Sequence, residues 1–483
     1  MMLHMTNFYI TKKWGDMNVK SLAAVSSRTV MLCLTLCLFA VPGCTSEQVK
    51  SKAPQQSSGD AVSDTNLLAT IADSDKPLRI ISHGTEHVGE QASYKATFSE
   101  SGTDVAYVAS VGRKFQVVHN QSRSKEYAAV GQIVFTSDGR RIVYPALSAD
   151  GKWRMVLDGN EGRPYDTLLT PRFSPDGKHV VYQAKNGDKW FIVVDNTPNE
   201  GTIASYTEPE FSSDATRIAF VEAAASNDKM RLIVSDLSFK KHMEIWSIGD
   251  LLSTTSKSKT RIAAAQVVGK KFRIIDFKFA TPVVVHEGRL YDQIEKLTMS
   301  DDGNSLAYCV LKGQKRLVVL DGREEPLPDG VLREQPVIRP DKKGVGILFV
   351  TINQRFFLHQ SFINRNKKGK MYDEAYNLSY SKNGSYVYEA RRGSSWFVVV
   401  NGAEGPAFDR VISPLFNLDG TRIAYHAKKG GKRFVVIADV AGKTVSQHPS
   451  YDHVFDVRFS ADGKSVAYGV KDAKRLVWKI VPL

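Results

Sequence analysis

Five aromatic–aspartate pairs recur along this chain at one distance from a turn: Tyr165-Asp166, Tyr291-Asp292, Tyr372-Asp373, Phe408-Asp409 and Tyr451-Asp452, each with its aromatic 11 residues before an Asp or Asn. Carboxylates set in pairs can do general acid–base work. Catalysis needs one constellation, however. A motif copied along the chain reads instead as a structural device, a packed ring beside an Asp that caps backbone donors. Tyr127 keeps the spacing without the acid. His83, His119 and His286 share a repeat position at the end of a β-branched run, where other copies have Asp158, Asp195, Asp321 or Asn401. A turn cap accounts for that position more simply than a metal or acid–base cluster in a central mouth. Trp153, Trp190 and Trp396 share a third position, read as repeat packing before a platform for sugar rings. The stretch Ile437 to Thr444 ends like a phosphate loop, but Ile437 stands where that loop needs Gly. The G-x-S-x-G, H-E-x-x-H and C-x-x-C signatures do not occur, and no Asp-Gly turn has the alternating acids of a calcium loop. No catalytic residue, cofactor or metal is expected.

The N-terminus carries a different chemistry. Lys12, Lys13, Lys20 and Arg28 precede an apolar run from Val30 to Val41. A basic flank and a short apolar core read as an export signal, too short to span a membrane stably. MNVK at Met17 is the more usual opening for such a signal. The core ends Val41-Pro42-Gly43-Cys44, which resembles the lipobox of bacterial lipoproteins. The resemblance implies cleavage before Cys44, palmitate-type acylation of Cys44, and attachment to the membrane through that lipid alone. Ser46 stands where an Asp would retain many such proteins in the inner membrane, so the resemblance favours the outer membrane, with the domain in the periplasm. Residues 45–76 are rich in Ser, Gln, Asp, Lys and Ala and read as a tether. The expected layout is therefore a signal at 1–43, a lipidated cysteine and tether at 44–76, and a folded region at 77–483. Of the 4 cysteines, Cys44 and Cys309 survive cleavage, and lipidation of the first excludes an intrachain disulfide. Cys309, in SLAYCVL, reads as a core residue.

Lys and Arg total 65 against 51 Asp and Glu, a net charge of +14. Basic clusters at Lys240-Lys241, Lys270-Lys271, Arg391-Arg392 and Lys428, Lys429 and Lys432 are the candidate partner-binding residues. Nucleic acid is the usual ligand of such charge, but export argues against it. An envelope protein or an anionic envelope polysaccharide is the expected partner.

The elements that must position these residues come from a repeat. FSPDGKHVVY (173–182) recurs in variant form with turn positions at Gly102, Gly139, Gly177, Ala215, Gly303, Gly344, Gly384, Gly420 and Gly463. The gap of 88 between Ala215 and Gly303 is about two periods, so one copy there has lost its signature. The period is about 40 residues, giving about ten copies. Each copy holds short runs rich in Val, Ile and Tyr between Asp-Gly and Asn-Gly turns, which is strand chemistry. About four strands per copy cannot bury both faces of their sheet alone, and radial stacking of sheets can. The expected fold is an all-β propeller of four-stranded blades, as one large ring or two smaller ones. Residues 83–102 align without a gap to 401–420, which places the strand that completes the last blade near 85–93 and latches the chain ends.

The repeated FSPDG…AY module resembles the WD-repeat-like modules of TolB-type β-propellers over about residues 80–483. That resemblance implies the propeller fold and a partner-binding role. The expectation is a non-enzymatic, lipid-anchored binding scaffold. The alternative is a lyase or hydrolase acting on acidic glycans through His and basic residues in a central channel.

Overall fold

The computed structural model describes residues 67–72, 96–200, 208–223, 229–248, 252–351, 353–362, 365–460 and 462–483. Among them are ten antiparallel sheets, nine built from strands consecutive in the chain and the tenth completed by a strand from the N-terminal side. Blades 1 to 10 span 96–123, 129–165, 167–198, 210–248, 253–287, 293–326, 331–372, 374–404, 410–447 and 453–482. In blades 2, 3 and 7 the first strand is split into two short pieces that both pair with the second strand. First strands touch across several of the seams, including that of blades 10 and 1, so they lie nearest the axis of a single closed ring.

One local device nucleates every blade. The turn between first and second strands puts a residue in the left-handed region, at Gly102, Gly139, Gly177, Ala215, Lys259, Gly303, Lys342, Gly384, Gly420 and Gly463. Glycine meets that demand without strain. The adjoining Ser and Asp complete the turn: Ser174 Oγ donates to Asp176 at 2.6 Å and accepts from the His179 amide at 2.9 Å. This resolves the gap of 88. The copy without a signature is blade 5, where Lys259 takes φ 57° and Arg261–Val268 forms the second strand. In blade 7 the turn residue is Lys342, at φ 56°, not Gly344, which instead begins the second strand.

The turn between third and fourth strands repeats in five blades. Asn120, Asp158, Asp195, Asp321 and Asn401 all have positive φ, and each side chain accepts the amide that opens the second strand of its blade. The cap position of blade 1 is thus Asn120. His119, one residue earlier, pairs instead with Asp104 at 3.2 Å. His286 lies in an exposed fourth strand, Val284–Glu287, and His83 lies outside the described residues. His119 and His286 do not share a site.

The ring closes with a strand from the N-terminal side. Leu67–Thr70 pairs antiparallel with Arg475–Pro482 and completes blade 10. The propeller therefore begins at Leu67, inside the stretch expected as tether, and the closing strand is not the one expected near 85–93, which lies outside the described residues. Ala69 and Ile71 join Phe98, Tyr107, Leu476 and Trp478 in one buried cluster across the seam of blades 10 and 1. Gly469 is required there, because a Cβ would sit 2.3 Å from the Phe98 ring. Cys309 is fully buried, and burial pushes its thiol up to about 12. No helix among the described residues is long and apolar enough to cross a membrane.

Candidate functional site: a basic rim and a buried carboxyl pair

Successive turns of an antiparallel meander lie at alternate ends of the sheet. The central hairpins, which join second to third strands, therefore share one rim with the linkers between blades. The other turns occupy the opposite rim. This geometry sorts the candidate residues. Lys270 and Lys271 stand in the central hairpin of blade 5, Arg391 and Arg392 in that of blade 8, and Lys428, Lys429 and Lys432 in that of blade 9. Lys240 and Lys241 lie between the third and fourth strands of blade 4 and so belong to the opposite rim, where Lys241 meets Glu244 at 2.9 Å. Sequence reasoning passed over Arg113, Lys189 and Lys315, which lie in the central hairpins of blades 1, 3 and 6. Their signal is a cation one or two residues after the turn glycine.

The aromatic–aspartate pairs belong to this rim, where they hold the seams. Asp166, Asp292, Asp373 and Asp409 accept the amides of Gly187, Gly313, Gly393 and Gly430 at 2.7, 2.7, 2.7 and 2.8 Å. Asp452 accepts from the Ala473 amide at 3.2 Å. In each case the amide is in the hairpin of the following blade. The same acids reach back to a cation of the preceding blade: Lys152–Asp166 at 2.6 Å, Lys271–Asp292 at 3.4 Å, Arg355–Asp373 at 3.2 Å and Lys432–Asp452 at 3.8 Å. The aromatic partner packs on the Tyr of the next blade, as Tyr291 does edge-on against Tyr308 at 6.1 Å. These are structural staples, and the cations they hold are neutralised in part. Arg391 and Arg392 are held too, by Glu374 at 2.5 Å and Glu404 at 2.8 Å.

Nearer the axis, blades 7, 8 and 9 enclose a group no sequence signal marks. The first strand of blade 8 bulges between Tyr376 and Ser379, with Asn377 at φ 58°. The Asn377 amide donates to Glu334 of blade 7 at 3.2 Å, and its side-chain Nδ2 donates to Glu389 of blade 8. Glu389 is 1 % exposed, its Oε2 has no hydrogen-bond partner, and the nearest cation is Arg410 of blade 9 at 3.9 Å. Arg410 also lies 3.6 Å from the centre of the Trp396 ring. Burial raises Glu389 to about 7 against the pull of Arg410 and Asn377, with Glu334 and Glu374 adding to the rise. Burial raises Glu334 as well. Glu389, bridged to Glu334 by Asn377, can hold and release a proton near neutral pH. Glu389 has no solvent-facing surface through which a ligand could meet it.

The remaining histidines are dispersed. His426, lowered to about 4 by burial and then by Arg433 and His453, has a buried unpartnered Nε2, and His453 accepts from Arg433. Among the described residues no three His, Cys, Asp or Glu side chains converge to hold a metal. Trp153 and Trp190 are half-buried and Trp396 is buried. Cys44 lies outside the described residues.

No family model matches the chain, and no curated protein matches it. Among solved structures it is similar to a eukaryotic initiation factor (10 % identity, 74 % of this chain and 88 % of that one, TM-score 0.41). It is also similar to TolB from Acinetobacter baumannii (13 %, 58 % and 80 %, 0.28). A third likeness is to the β-propeller domain of the Trilobed protease from Pyrococcus furiosus (14 %, 56 % and 94 %, 0.32). At these values the likeness stops at the propeller fold, and none bears on what this chain binds.

Proposed function

We propose that this propeller is a binding scaffold of a bacterial cell envelope, anchored by lipid at Cys44, which presents its hairpin rim to a protein or polysaccharide partner and catalyses no reaction. The observation that carries the reading is the concentration of Lys and Arg in the central hairpins of successive blades, all on one rim. A rigid ring fixes these loops relative to one another, and the chain between Cys44 and Leu67 sets their reach from the membrane. The export signal and the cysteine after Gly43 support the address.

The test is a crosslinking pull-down of the mature protein from its native envelope, beside Cys44→Ala. Recovery in the outer-membrane fraction with a discrete partner, both lost in C44A, supports the scaffold. A wild-type protein that remains in the soluble fraction and recovers nothing overturns it.

A further inference from the structure

We propose that the tips of the central hairpins form a binding face for a linear polymer of acidic sugars. This rests on the scaffold reading and adds a ligand chemistry to it. Two observations carry it.

The first is a division among the rim's cations. Some, among them Lys152, Lys271 and Lys432, are held by linker acids. A second set has another environment. Arg113, Lys189, Lys270, Lys315 and Lys429 are exposed, and none has an acidic partner among the described residues. A cation that staples two blades is explained by the fold, and an unpaired cation repeated around a rim is not. The second observation is that a ring follows closely behind three of these tips: Phe115 after Arg113, Trp190 after Lys189 and Phe272 after Lys270, each half-buried.

Together these suit acidic sugars. Carboxylates face the cations, and the C–H faces of the sugar rings lie against aromatic surface. A protein partner suits them less well, because protein interfaces draw their energy from clustered apolar and aromatic anchors. Among the described residues Val268 is the one strongly exposed large apolar side chain in these hairpins. Each exposed cation contributes little alone, so repetition from blade to blade selects a long ligand that engages several tips at once.

The test uses the mature chain with polygalacturonate as probe, dextran as neutral control and poly-L-glutamate as acidic-peptide control, read by biolayer interferometry. Polygalacturonate should bind at low salt, dextran should not, and affinity should fall steeply as the Debye length shrinks from about 30 to about 8 Å. Lys270→Glu with Lys429→Glu should weaken polygalacturonate binding at least about tenfold, whereas Lys464→Glu on the opposite rim should leave it unchanged. Trp190→Ala should weaken polygalacturonate and spare poly-L-glutamate. Arg113→Glu, at an exposed side chain, replaces W190A if that variant fails to fold and should also weaken binding. Absence of polygalacturonate binding at low salt, or an equal loss in K464E, overturns the proposal. Poly-L-glutamate binding as tight as polygalacturonate and untouched by W190A overturns it in favour of an acidic protein. A partner recovered from the envelope by a chain that ignores polygalacturonate removes this ligand and leaves the scaffold standing. A chain that is not in the envelope removes the scaffold whatever the polymer does.

Discussion

Glu389 offers the sharpest test of the physics of this fold. Its carboxyl is buried between blades 8 and 9, with one oxygen bonded by Asn377 and the other unpartnered. Facing it are Arg410 at 3.9 Å and, farther away, the acids Glu334 and Glu374. Burial outweighs the arginine and raises the group from 4.5 to about 7. A carboxyl raised in the folded state binds its proton there while the unfolded chain has already released it. Between pH 4.5 and about 7 stability therefore falls as pH rises. Below that window the penalty is absent, and above it the penalty is complete, at about 3 kcal/mol. Glu389→Gln keeps the acceptor for Asn377 and cannot ionise. The wild-type-minus-variant difference in unfolding free energy, taken from urea midpoints at a series of pH values, should shift by about 3 kcal/mol across the window, with the variant favoured at the alkaline end. Taking the difference cancels the titrating groups that are not coupled to Glu389. A difference that stays flat from acid to pH 8, or a variant less stable than wild type at pH 8, would refute the reasoning, because either would mean that Arg410 stabilises an ordinary ionised carboxylate.

Three further outcomes follow from the seams. Asp373→Ala removes the cap on the Gly393 amide and the partner of Arg355, and should cost about 1 kcal/mol in a denaturant midpoint; Asp373→Asn should recover part of that through the retained acceptor. Gly469→Val would place a Cβ 2.3 Å from the Phe98 ring and should destabilise by about 1–3 kcal/mol, read as a lowered melting temperature. Ala69→Asp would bury a carboxylate in the closing strand, at a position only 1 % exposed. It should cost about 3 kcal/mol or more and expose the edge of Arg475–Pro482 to proteolysis, whereas Thr70→Asp, at an exposed neighbour, should be near neutral.

The fold was legible where residue chemistry is narrow. A left-handed turn position favours glycine, so eight of the ten turns left Gly or Ala at a regular interval, and the interval gave the blade count. Lys259 and Lys342 hid two turns: each takes the left-handed conformation without glycine, and its ammonium ties to an acid of the preceding blade, Glu210 for Lys259 and Asp302 at 2.9 Å for Lys342. Without glycine, the pattern in blade 7 drew attention to Gly344, two residues late. The closing strand was invisible for another reason: Leu67–Thr70 is four residues in a polar stretch, and only its place against Arg475–Pro482 makes it a strand. The aromatic–aspartate pairs were readable as caps because an Asp at constant spacing has a small set of uses. Which blade each one capped was not readable, since its acceptor bond lies 20 or 21 residues away across a seam. Glu334 lies between the two pieces of the first strand of blade 7, Asn377 and Glu389 lie on two strands of blade 8, and a bulge aims Asn377 at both acids. No spacing rule on a single strand can show that.

The ten seams are not equivalent. Four linker acids bind both an amide of the following blade and a cation of the preceding one. At the seam of blades 8 and 9 the linker acid Asp409 keeps its amide, but Ser395 stands where the other blades place the cation. That seam is joined instead by Arg410, which spans the Trp396 ring and approaches the buried Glu389. At the residue after the Tyr of the second strand, most blades have an apolar or small side chain, among them Val108, Cys309 and Gly469. Blade 8 has a glutamate there, which costs stability at neutral pH by the sign worked out above. A ring that needs only rigidity gains nothing from this exchange. The adjoining hairpin of blade 9 carries Lys428, Lys429 and Lys432, and it is fixed at two seams, by the Gly430 amide on Asp409 and by Lys432 on Asp452.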